Sequence, residues 1–217
     1  MSKNNTGIII GIFMFILILL GIFIYFDSKK ESETQPLMQS FVVYNGYRIY
    51  NKTVGNLTLY AVEAFDANKH KYLITFRYLP NELEDIKVEE GIYDKILYVD
   101  ENKDRYKSKI YISVNPDMTG QEALSVFTLA QILWVGTEGH EGIYKIPTQT
   151  AFSMDYEGDE HPIKNCSDAT ANIGVILLEY GDMKIYSDDY CIILHGNNLD
   201  ELRMVNEKLS YILLNVI

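Results

Sequence analysis

Residues 190–216, YCIILHGNNLDELRMVNEKLSYILLNV, decide the fold class. The opening run Tyr190–Leu194 is short and apolar, the pattern of a strand buried on both faces. Asn197 and Asn198 follow, and either suits the N-cap of a helix. From Leu199 to Val216, the residues Leu202, Val205, Leu209, Ile212 and Val216 recur at three- and four-residue spacing, which is one apolar helical stripe. A buried strand leading directly into an amphipathic helix is the local unit of an α/β fold.

Upstream, Gly174–Glu179 and Met183–Tyr186 read as strands around a tight turn at Gly181-Asp182. Thr119–Val135 carries Leu124, Phe127, Ala130, Leu133 and Trp134 at helical spacing, with Thr119 as cap and Gly136 as stop. A strand at Lys109–Val114 precedes it, and Ile143–Ile146 is the expected returning strand of a βαβ crossover. A further strand is expected at Lys95–Val99, before a charged turn at Asp100–Lys107. Nearer the N-terminus, Phe41–Tyr50, Leu57–Phe65 and Tyr72–Tyr78 are rich in Val, Ile, Tyr and Phe. The last two flank the turn tetrad Asp66-Ala67-Asn68-Lys69 and predict a β-hairpin. Pro80 stops that strand, and Asn81–Ile86 fits one helical turn. The expected fold is therefore α/β, a mixed sheet with two main packed helices after an antiparallel N-terminal section.

The other decisive run is Gly7–Phe26, GIIIGIFMFILILLGIFIYF, twenty residues without a charge. At 1.5 Å per residue it spans about 30 Å, the thickness of a bilayer's hydrocarbon core. It exceeds the apolar region of a cleaved signal and ends in Tyr-Phe-Asp with no small-residue cleavage site. The sequence thus divides into a tail at 1–6, a transmembrane helix at 7–26, a polar tether at 27–39 and one soluble domain at 40–217. Membrane lipid is its first expected partner.

Beyond the anchor lie eighteen basic and all thirty acidic residues, about −12 in net charge. That balance disfavours nucleic acid, whose phosphates it repels, and disfavours the domain lying on anionic lipid. The cysteines are Cys166 and Cys191 alone. In the cytosol they would be buried thiols, and outside the membrane they would form one disulfide. Sequons at Asn51, Asn56 and Asn165 favour the exterior, whereas Lys29 and Lys30 after the anchor favour a cytoplasmic domain. The cysteine pair, the sequons and the short N-terminal tail outweigh the two lysines, and the domain is expected outside the cell.

Motifs of chemistry are sparse. Gly136-x-x-Gly139-x-x-Gly142 follows a predicted helix and opens a strand, the reverse of a dinucleotide loop. His140, Glu141 and His161 bring imidazoles near a carboxylate and make a metal-assisted envelope hydrolase the alternative function. Asp155, Asp159 and Glu160 form an acidic loop without the register of an EF-hand. Arg77, before Pro80, is the candidate anion clamp, with Glu82 and Glu84 as competing partners. No catalytic residue, metal or cofactor is assigned. The leading expectation is a binding or envelope-interaction module whose further partners are other envelope proteins.

Cys166-Ser167-Asp168-Ala169-Thr170, Cys191-Ile192-Ile193 and the closing leucine-rich helix resemble small archaeal single-pass membrane-anchored proteins. That group shares a C-x-D-A-T box, a C-I-I strand and such a helix. Phe76-Arg77-Tyr78-Leu79-Pro80 is similar to an F-R-x-x-P element of the same group. Where its last helix carries Ala-Ala-Asp-Arg, this chain has Val205-Asn206-Glu207-Lys208. The resemblance implies an architecture and an archaeal envelope, and no reaction.

Overall fold

The computed structural model describes residues 40–116, 118, 126–135, 141–155 and 161–217. The expected transmembrane run Gly7–Phe26 and tether at 27–39, with Thr119, Gly136, Gly139, His140, Asp159 and Glu160, lie outside the described residues. Among the described residues no helix is long and apolar enough to cross a membrane.

Two sheets form. The first is an antiparallel meander in the order β1 (Phe41–Tyr44), β2 (Tyr47–Val54), β3 (Leu57–Phe65) and β4 (Lys71–Phe76). The single strand expected over Phe41–Tyr50 is two strands. Asn45 and Gly46 take φ values of 47° and 84°, and an Asn-Gly pair in the left-handed region is the turn that matches hairpin twist. The β3–β4 hairpin forms as expected, with Val62 opposite Ile74.

The second sheet has six strands: β5 (Lys87–Val88), β6 (Lys109–Val114), β7 (Thr148–Phe152), β8 (Ile173–Tyr180), β9 (Lys184–Asp188) and β10 (Cys191–Gly196). Their spatial order is β5-β9-β10-β8-β6-β7. All neighbours are parallel except β9 and β10. The chain leaves β8 and crosses the end of β10 before descending as β9 on its far side. Gly181 makes that crossing: its N–H donates to Gly196 O at 3.1 Å, and a Cβ there would lie 2.7 Å from the His195 ring. The returning strand is β7 and not Ile143–Ile146. In that segment Ile146 makes only a bridge to Trp134, and Pro147 precedes the strand.

Three helices are described: α1 (Ile92–Leu97), α2 (Phe127–Leu133) and α3 (Leu199–Leu213). Where a strand was expected at Lys95–Val99, the chain forms α1 after Gly91 at φ 79°. Ile92, Ile96 and Leu97 are buried, so the apolar spacing there is helical. Asn198 is the cap of α3, its side chain accepting the Glu201 N–H.

α3 lies between the sheets. One side packs on β10, and Leu202, Val205 and Leu209 are fully buried. The other side meets the meander, where Tyr211 stacks on Phe76 at 3.9 Å and donates its hydroxyl to Tyr78 O. Ile49, Val62, Ile74, Ile112, Ile176 and Leu194 join one core around it. The opposite face of the six-stranded sheet has its own small cluster of Val175, Leu177, Cys191 and Ile193. The Cys166–Cys191 disulfide closes over that cluster.

Candidate functional site

The C-x-D-A-T box is a folded loop. Asn165 Oδ1 accepts the Ser167 N–H, Asp168 accepts the Asn165 N–H and pairs with Lys164, and Thr170 Oγ1 accepts the Ile173 N–H. Beneath it Lys107 is almost fully buried, its ammonium donating to Ala171 O at 2.8 Å. Burial draws the Lys107 pKa down to about 8. With its sulfur in the disulfide, Cys191 has no thiolate to offer as a nucleophile, and the box is a staple between β8 and β10.

Of the sequence candidates, Arg77 is exposed, and its backbone rather than its guanidinium makes the recorded hydrogen bonds. Its expected carboxylate partners are engaged elsewhere: Glu82 accepts the Leu79 N–H, and Glu84 accepts the Tyr44 hydroxyl. Glu141 pairs with Lys145, and His161 lies 5.1 Å from the Phe152 ring. Among the described residues no three His, Cys, Asp or Glu side chains gather at metal-binding distance. The sequons differ in setting: Asn51 is half-buried and donates to Ser40 Oγ, whereas Asn56 is exposed at the β2–β3 turn.

Two polar groups were missed by sequence reasoning. Glu207, on α3, is buried, and its carboxylate accepts the N–H groups of Arg77 and Tyr78 at 2.9–3.0 Å. Burial pushes its pKa up to about 7 against the opposing pull of those donors and of Arg203 and Arg77. The second group is His195, whose Nε2 lies 3.2 Å from the Tyr186 hydroxyl and 3.3 Å from Glu179. Its Nδ1 side faces Gly181 so closely that a methyl group there would touch it. The imidazole is thus held between Gly181, Tyr186 and Glu179 and remains partly exposed.

Among the described residues, one feature that can receive a ligand is a groove of about 690 Å³ between the two sheets, more apolar than a second cavity of about 540 Å³ beside Tyr47, Tyr144 and Leu213. Phe127, Ala130 and Trp134 of the α2 region form its floor, with Leu73 of β4 on one wall and Thr148 and Thr150 of β7 on the other. Gly142 seals the floor, since a Cβ there would meet the Trp134 and Gln131 backbone at 2.8 Å. The rim is held by a charge chain: Lys145 bridges Glu141 and Asp66, and Asp66 also accepts the N–H groups of Asn68 and His70. Burial opposes ionisation of Asp66, but these donors and the His70 ring hold its pKa at about 2.

No family model, curated protein or solved structure matches this chain. Its chemistry must be read from the groove itself, and the walls are informative. Ile110 N donates to Pro147 O and Ser153 N to Val114 O, so Gln149 and Ala151 turn their backbone groups toward β6. Thr148 and Thr150 turn theirs to the other side, which no described strand covers. On β4 the Asp66–His70 hydrogen bond sets Tyr72 and Ile74 toward β3, leaving Leu73 and Thr75 with outward backbone groups. At Phe152 that side of β7 is paired with the Pro162 carbonyl and the Lys164 N–H. Among the described residues, Leu73 and Thr75 of β4 and Thr148 and Thr150 of β7 thus present sheet edges without a strand partner beside one apolar groove.

Proposed function

We propose that this chain is a membrane-anchored, extracytoplasmic binding module whose groove receives an extended polypeptide segment of another envelope protein. The observation that carries the reading is the pair of edges, at Leu73–Thr75 and Thr148–Thr150, that no described strand covers, beside an apolar floor. An extended chain satisfies such edges by adding as a strand, while its alternate side chains enter the floor. The Cys166–Cys191 disulfide supports the extracytoplasmic side, because such bonds persist in oxidising compartments. The apolar run Gly7–Phe26 and the archaeal resemblance support the anchor and the envelope setting. The metal-assisted hydrolase remains the alternative: His140 lies outside the described residues, while Glu141 pairs with Lys145 and His161 lies beside the Phe152 ring.

Trp134 is the sole tryptophan and lines the groove, so its emission reports occupancy directly. The probe is a ten-residue peptide alternating Val and Thr between terminal lysines. Its expected effect is a saturable blue shift of the emission, and N-methylation of alternate peptide bonds weakens binding at least tenfold by removing the edge donors. An N-methylated peptide that binds equally well, or an emission unmoved at millimolar peptide, refutes the groove. Protease digestion of intact cells tests the side of the membrane.

A further inference from the structure

The domain's acidity argues against contact with anionic lipid, but the fold does not distribute that charge evenly. Pairing in the meander places Phe41 opposite Tyr50, Val43 opposite Arg48, Lys52 opposite Leu59, Val54 opposite Leu57, Glu63 opposite Leu73 and Phe65 opposite Lys71. Side chains alternate along a strand, so these residues share the face turned away from α3. On that face of the four strands stand three cations, Arg48, Lys52 and Lys71, against one anion, Glu63, a net charge of about +2. The other face of the meander, bearing Tyr47, Ile49, Tyr60, Val62, Ile74 and Phe76, carries no charge and packs into the core or against it.

The same outer face gathers exposed apolar side chains. Phe41 is 52 %, Val43 64 % and Phe65 57 % exposed, and Val54 and Leu57 stand open at the β2–β3 turn. An Arg48 guanidinium lies over the Phe41 ring at 5.4 Å, and Lys71 pairs with Glu63. Apolar side chains interleaved with cations are the composition of a surface that settles into the headgroup layer of an anionic bilayer. The strand that opens this face, β1, begins at Phe41, with only fourteen residues between it and the end of the apolar run at Phe26.

We infer that the outer face of the meander docks on anionic lipid headgroups of the membrane that holds the anchor. The inference rests on the anchor of the proposed function, and it adds a second, weaker contact beyond that span. Charge complementarity selects the occupant. The face is cationic while the domain as a whole is acidic, so an anionic bilayer is drawn to this face against the net charge of the domain.

The test uses the full chain in lipid nanodiscs, with the photoprobe p-benzoylphenylalanine in place of Phe65 and, as a control, in place of Tyr190. Illumination is expected to yield lipid adducts from position 65 in phosphatidylglycerol discs. Little adduct is expected in neutral phosphatidylcholine discs, or from position 190 in either. Replacing the cations together (Arg48→Gln, Lys52→Gln, Lys71→Gln) is expected to lower the docked-to-undocked ratio ~100-fold, about fivefold per cation. Absence of adduct at 65 in anionic discs, equal yield in neutral discs, or indifference to loss of the cations each overturns the inference. Retention of the chain by bilayers after an alkaline wash tests the anchor separately. If the chain washes out, the same photoprobe is read against added phosphatidylglycerol vesicles, with the same outcomes deciding.

Discussion

Glu207→Gln is the perturbation on which the packing of α3 between the sheets can be judged. The carboxyl is buried and its pKa rises from 4.5 to about 7 in the folded chain. A carboxyl with a raised folded-state pKa binds its proton more tightly when folded. Its contribution is therefore fully present below pH 4.5, lost as pH rises from 4.5 to 7, and absent above that. At 1.36 kcal/mol per pH unit, a difference of about 2.5 units corresponds to roughly 3 kcal/mol of stability lost by the wild type across the window. Glutamine keeps an oxygen to accept from Arg77 and Tyr78 and cannot ionise, so the variant lacks that slope. The assay is urea unfolding of wild type and Glu207→Gln from pH 4 to pH 8.5, monitored by Trp134 emission. Other titrating groups, including the histidines, are common to both chains and cancel in the difference. Relative to wild type the variant should gain about 3 kcal/mol between the ends of the range, or about 6–12 °C in Tm for a domain of this size. Parallel stability curves would refute the reasoning. They would mean that the Arg77 and Tyr78 amides fully compensate the burial of the charge.

Two further outcomes follow from the same structure. Cys166→Ala with Cys191→Ala opens a loop spanning 25 residues and should cost about 3 kcal/mol in denaturant unfolding, with unchanged far-ultraviolet circular dichroism below the transition. Lys107, with its pKa drawn down to about 8 from 10.5, binds its proton more weakly when folded, so wild type should gain stability over Lys107→Met as pH rises from 8 to 10. Denaturation midpoints that keep a constant spacing across that range would show the Lys107 ammonium to be adequately solvated.

The sequence by itself determined the strongly patterned elements. β3, β6, β8, β10 and α3 were all legible, because an apolar run bounded by turn residues or a 3.6-residue stripe has few alternatives. It also determined the pairing of Cys166 with Cys191 once an oxidising setting was granted, there being no third cysteine. The β1–β2 turn is equally encoded in Asn45-Gly46, a pair that takes the left-handed region with ease. Lys95–Val99 was misread because six residues of apolar spacing are too few to separate a strand from a helical turn. The candidate binding surfaces and the buried charge waited for the tertiary structure. Glu207 looked like one more charge beside the stripe of α3 and became buried because the helix has a sheet on each side. The groove joins β4, α2 and β7, elements more than seventy residues apart from first to last, and no local pattern encodes which edges are left unpaired. The cationic face is likewise a product of register. Arg48, Lys52 and Lys71 are scattered through an acidic sequence, and only the pairing of β2, β3 and β4 turns them to one side. Local interactions choose the elements, but long-range pairing decides which of their faces meet and which remain open to a partner.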